Sequence, residues 1–200
     1  MSFPIMEKQQ MRTLRWALIG VVAVLVSCGD GSSNASTVTD VEDEYNVGDT
    51  GPGGGIIVYV DEAGFNNSSG GDTSIGDMCL MDTCHYLEVA PTVLEGEYSW
   101  DDAIVAAESF STPLAKDWLL PSRDALNAMC KYAFGDTVNV MCNESGDGSF
   151  VNNVGNFSSD FYWSSSEFDG NTAWYQLFTW GGQDYGGKDY TYYVRPVRAF

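Results

Sequence analysis

Three short aromatic runs close this chain and constrain its fold more than any other feature. Residues 161–167 (FYWSSSE), 172–181 (TAWYQLFTWG) and 190–200 (YTYYVRPVRAF) are aromatic or β-branched, and Gly, Asp and Asn clusters such as Asp169-Gly170-Asn171 and Gly181-Gly182 separate them. This is the pattern of successive strands joined by turns. Residues 161–200 carry 13 of the chain's 27 aromatic side chains, so the functional reading depends on whether those rings fill a core or present a surface. Alternation along a strand puts Trp174, Gln176, Phe178 and Trp180 on one face and Ala173, Tyr175, Leu177 and Thr179 on the other, and one face is expected to be core. The surface left for a ligand is the turns around 169–171 and 181–188, with Trp174, Trp180 and Tyr185 as the candidate contacts.

Upstream, Gly51 to Gly55 precede an apolar run at 56–60 (IIVYV). Phosphate-binding loops follow a strand and open a helix, so these glycines read instead as positions of positive φ or close backbone approach at the start of a strand. Residues 61–77 read as a polar loop and 86–90 as a second strand. Ser99 is placed to cap a helix with Trp100, Ala103 or Ile104, Ala107 and Phe110 on one face. After Pro121, Ser122 caps a second helix with Leu126, Met129, Cys130 and Ala133 on one face. Two single-sided helices and several short strands predict an α+β domain in which the helices pack on a sheet.

The N-terminus reads as an address. Lys8, Arg12 and Arg15 precede an apolar run at 16–26, too short for the ~20 residues of a membrane span and suited to a secretory leader. Leu25-Val26-Ser27-Cys28 resembles a bacterial lipobox, which makes 1–27 a lipoprotein signal peptide and Cys28 the lipidated residue. Gly29, in place of Asp, points to the outer membrane. Residues 28–46 are polar and acidic and read as a flexible tether, leaving 47–200 as the domain. From Cys28 onward, 6 basic residues stand against 27 acidic ones, a balance of −21. That charge excludes nucleic acid as a partner.

Cys79, Cys84, Cys130 and Cys142 remain, and in an exported protein they imply two disulfides with three pairings. The local pairing of Cys79 with Cys84 and Cys130 with Cys142 is favoured, because each pair brackets a polar loop. Zinc is disfavoured, because the spacings lack a CxxC. His85, the single histidine, follows a cysteine and begins a strand, so it reads as a strand-edge residue. For calcium, residues 143–148 imitate the first half of an EF-hand loop, but Val154 stands where a bidentate Glu is needed. Asp184 and Asp189 are a weaker pair for a structural calcium, and no cofactor is assigned. Arg195 and Arg198 are an odd interval apart, which places them on opposite faces, each paired with nearby carboxylates.

Six ordered motifs carry a resemblance to a known family. They are 48–55 (GDTGPGGG) with 58–61 (VYVD), 86–91 (YLEVAP), 118–122 (WLLPS) with Leu126, 162–167 (YWSSSE), Ala173-Trp174, and 193–200 (YVRPVRAF). Together they resemble the DUF1566 family, also called the Lcl C-terminal domain, named after a collagen-like bacterial adhesin. The resemblance implies a C-type-lectin-like fold with a small twisted antiparallel sheet, two helices and long loops, a surface that binds a glycan or protein ligand, and a homotrimer. The sulfated glycosaminoglycan ligand of that adhesin does not carry over, because a charge of −21 opposes it; a neutral glycan or an envelope or host protein is the expected partner. A structural envelope protein is the alternative reading. A formylglycine-generating oxidase, the enzyme found on related folds, needs a reactive cysteine pair, so no catalytic residue is expected here.

Overall fold

Ser99 and Ser122 each turn an extended chain into a helix. The computed structural model describes residues 44–67, 74–135, 141–142 and 155–200; the leader, Cys28, most of the tether and the 143–148 loop lie outside the described residues. Ser99 accepts a hydrogen bond from the Asp102 amide at the start of α1, Trp100–Ser109, and Ser122 accepts one from Ala125 at the start of α2, Arg123–Phe134. Each cap satisfies a donor that the first helical turn leaves unpaired. Helix α2 stops at Gly135, whose φ of 67° lies in the left-handed region that favours glycine. The buried faces follow the predicted spacing: Trp100, Ala103 and Ala107 in α1, and Leu126, Met129, Cys130 and Ala133 in α2.

The strands differ more from expectation. Instead of one small sheet there are two, each antiparallel and three-stranded. The first is built from β1 (Ile56–Phe65), β2 (Cys84–Val89) and β6 (Val197–Ala199), in the order β1-β2-β6; the second is β3 (Phe161–Glu167), β4 (Thr172–Leu177) and β5 (Gln183–Gly187). Strand β1 runs five residues beyond the expected Val60, through a stretch whose composition reads as loop. Its pairing with β2 resumes at Phe65 opposite Cys84, after an irregularity where Ala63 donates to the Asp61 carboxylate and Gly64 takes φ 81°. Likewise β5 lies in the Gly/Asp stretch expected to be a turn. Backbone pairing with β4 depends little on side chains, and it sets Trp174 opposite Tyr185 and Gln176 opposite Gln183.

The closing run is not one strand. Tyr192 bridges to Tyr98 and Tyr193 to Tyr162 before Val197 to Ala199 pair with β2, so the segment passes from the second sheet to the first. Pro196, which has no amide to donate, lies at the crossing and accepts from Ala90 through its carbonyl.

The expectation of a single core face on β4 is also corrected. Ala173 is buried with Trp163, Val194 and the α1 residues Trp100, Ala103 and Ala107. Gln176, on the other face of β4, is fully buried as well, and Phe178, just past the end of the strand, belongs to a second cluster with Leu126 and Met129 of α2 and Leu87, Val89 and Val197 of the first sheet. Helix α2 packs on β3 and β4 and α1 packs on β3, so the second sheet is covered in part on both sides and parity cannot separate core from surface. Bonds Cys79–Cys84 and Cys130–Cys142 close loops at the edge of the larger cluster. Loops of these lengths should stabilise the fold by about 2 to 3 kcal/mol each through the unfolded state.

Candidate functional site

Three of the six family-like motifs, 48–55, 86–91 and 193–200, meet in one knot around a buried carboxylate. Glu88 is fully buried on β2; its carboxylate accepts from the amides of Gly53 at 3.0 Å and Gly55 at 2.6 Å. The glycine loop does cradle an anion, but one belonging to the same chain. A Cβ on Gly51 would lie 2.5 Å from Glu88, and one on Gly55 only 2.0 Å from the Val89 carbonyl oxygen, so close approach explains both glycines. Arg198 supplies a cation shared by two carboxylates. It donates to Glu88 at 3.0 Å and, through two nitrogens, to the Asp117 carboxylate at 2.9 and 3.0 Å. Burial opposes ionisation of Asp117, but the bonds from Arg198 hold its pKa below the usual carboxylate value.

Arg195 departs from the expected carboxylate pairing. It is buried, lies 4.2 Å from the Phe157 ring centroid, and donates to the backbone carbonyls of Ala90, Pro91 and Gly155. Burial pulls its pKa down to about 10. The two arginines are therefore internal ties that share no anion between them.

The exposed counterpart lies on the second sheet. Trp174 and Tyr185 are cross-strand neighbours on β4 and β5, and Phe168 reaches them from the β3–β4 turn. The Phe168 and Tyr185 rings lie parallel with centroids 3.8 Å apart, and Trp174 stands nearly perpendicular to both. Phe168 is 47% exposed and Tyr185 45%. The Arg123 guanidinium lies 5.0 Å from the Trp174 ring and pairs with Asp124 at 3.3 Å, while Gln183 donates to the Arg123 carbonyl. Beside this platform, and sharing Arg123 with it, is a depression of about 790 Å³ between β1 and α2 walled by Val58, Val60, Ala128 and Tyr132. Flat apolar rings bordered by a guanidinium, a carboxylate and an amide can stack on an apolar face and bond to polar groups at its rim.

Of the three predicted contacts, Trp174 and Tyr185 come together. Trp180 does not belong to β4 at all: it lies in the turn that follows, 57% exposed, with its ring so close over Gly182 that a Cβ there would sit 1.7 Å away. Phe168 and Arg123 were not singled out from the sequence. Phe168 borders the turn that parity left as surface, but its stack on Tyr185 depends on the pairing of β5, which composition concealed.

His85 lies on β2 with Nδ1 3.0 Å from the Asp61 carbonyl oxygen. Asp184 accepts from the adjacent Tyr185 amide. Among the described residues no group of three or more His, Cys, Asp or Glu side chains is arranged to hold a metal ion. The cations are largely engaged. Lys188 bonds to Glu167 and lies 4.2 Å from the Trp100 ring centroid, and Arg123, Arg195 and Arg198 are held as described.

No curated protein matches this chain. Residues 79–198 match the Lcl C-terminal domain, a span that takes in β2, both helices and all of the second sheet. With that match over more than half of its length, the chain belongs to the Lcl C-terminal domain family.

Proposed function

We propose that this chain is a recognition lipoprotein of the bacterial outer membrane, anchored through Cys28 and binding a neutral glycan on the Phe168, Trp174 and Tyr185 platform. Membership of the Lcl C-terminal domain family suggests a bacterial surface-associated domain. One observation carries the ligand assignment: two stacked, half-exposed rings and a perpendicular tryptophan lie together, Trp174 and Tyr185 on paired strands and Phe168 in the turn that joins β3 to β4. Rings held on strands lose little freedom on binding, and the apolar face of a pyranose matches them in shape. The balance of −21 from Cys28 onward favours a neutral ligand over a sulfated one. Binding is favoured over formylglycine-generating oxidase chemistry because Cys79, Cys84, Cys130 and Cys142 are all committed to disulfides, which leaves no thiol for it among the described residues.

The test is a glycan array probed with the full-length lipidated protein in detergent. Neutral glycans should be retained by the wild type and lost with Tyr185→Ala and Phe168→Ala. Retention that survives both substitutions, or binding confined to sulfated polymers, would sink the assignment.

A further inference from the structure

Leu80 and Met81 form an apolar tip that the platform does not use. They are 66% and 55% exposed, and the Cys79–Cys84 bond holds the feet of their loop with Cα atoms 5.8 Å apart. Single apolar residues scattered over a surface are ordinary. This pair is adjacent, is presented on a closed loop, and stands at a particular end of the first sheet.

That end can be read from the strand register. Ile56 lies opposite Val89, Val60 opposite Tyr86 and Phe65 opposite Cys84, so β1 runs from the Val89 end of β2 to its Cys84 end. Traced backwards from Thr50, which bridges Ile56, the chain follows β1 in the same direction. Gly48 donates to the Ile57 carbonyl, and the Tyr45 ring lies 5.4 Å from that of Tyr86. Glu44 then borders a depression shared with Asp61, Glu62 and His85. Glu44, from which the chain leads back towards Cys28, therefore lies at the Cys84 end of the first sheet, the end that also carries the disulfide loop. Leu114, 70% exposed, marks the opposite end: a Cβ on Gly54 would lie 3.6 Å from it.

We propose that Leu80 and Met81 dip into the surface of a zwitterionic lipid bilayer and seat the domain on the membrane to which its tether runs. The proposal rests on the lipid anchor at Cys28. A domain already confined by a tether needs only a weak contact, because its effective concentration at the bilayer is high. Asp82 on the loop itself, and Asp61 and Glu62, which share a depression with His85 next to a loop foot, would repel anionic headgroups, which selects the zwitterionic class.

The experiment uses the full-length lipidated chain reconstituted in phosphatidylcholine vesicles, with a nitroxide on Leu80→Cys or, separately, on Leu114→Cys. Met81→Cys serves if a thiol at position 80 exchanges with the neighbouring bridge. The label at 80 or 81 should be relaxed by oxygen and shielded from a water-soluble nickel complex, and the label at 114 should show the reverse. Equal nickel access at both ends, with the protein still floating with the vesicles, overturns the seating and leaves the anchor standing. Failure to float overturns the anchor and the seating together. Deeper immersion in phosphatidylglycerol vesicles overturns the zwitterionic assignment, and a label immobilised in native membranes without oxygen access assigns the tip to a protein and overturns the lipid proposal.

Discussion

The Glu88 knot and the Phe168 platform each pair an arginine with a carboxylate, yet they differ in what those groups face. In the knot the carboxylate is fully buried, and two glycine amides and Arg198 surround it. On the platform, Arg123 pairs with a neighbouring half-exposed Asp124, and two of the three rings are about half exposed. A buried charge with several partners is costly to disturb, because removing one partner strands the others, whereas an exposed pair contributes at most about 1 kcal/mol. The knot therefore governs whether the domain folds and the platform what it meets.

That contrast is open to attack from both sides. Gly55→Ala should do the most damage, since its methyl would overlap the Val89 carbonyl oxygen. A loss of roughly 4 kcal/mol or more is expected, read as failure to accumulate folded protein or a collapse of the denaturant midpoint. Arg198→Met comes next. It leaves Glu88 buried without its cation and should cost about 3 to 5 kcal/mol by chemical denaturation. The same variant has a pH signature. The pKa of Asp117 is depressed in the fold, so its contribution is present above the ordinary carboxylate value and is lost as pH falls through the depressed one. Wild type should show that acid-side loss and Arg198→Met should show less of it; identical acid profiles would remove Asp117 from the knot. Tyr185→Ala should have the smallest effect on stability, roughly 0.5 to 1.5 kcal/mol from the lost ring stack. A drop as large as that of Arg198→Met would erase the distinction between the two regions.

The sequence made some of this visible and hid the rest for identifiable reasons. Caps and helix faces are local, and Ser99, Ser122 and the apolar spacings that follow them were legible without any partner. The disulfides were legible as a preference, because each spans a short loop. Strand β5 was not, since Gln183 to Gly187 has the composition of a turn and becomes a strand only because β4 offers an edge. The knot could not be read either: Gly53, Glu88 and Arg198 are each far apart in the chain, and nothing local pairs them. Face parity failed on β4 because helices cover both sides of the sheet, and Trp180 escaped it altogether by lying past the end of the strand.

The crossing of residues 190–200 from one sheet to the other bears on the order of assembly. Strand β2 meets β1 from a nearby part of the chain, but its other edge is filled by β6, more than 100 residues downstream. Until residues 197–199 arrive, that edge carries unpaired amides and carbonyls able to template a foreign strand. Non-local closure of this kind is slow, because the loop entropy must be overcome before the pairing is gained. A chain cut short between residues 90 and 196 would keep β2 but leave its second edge unpaired for good.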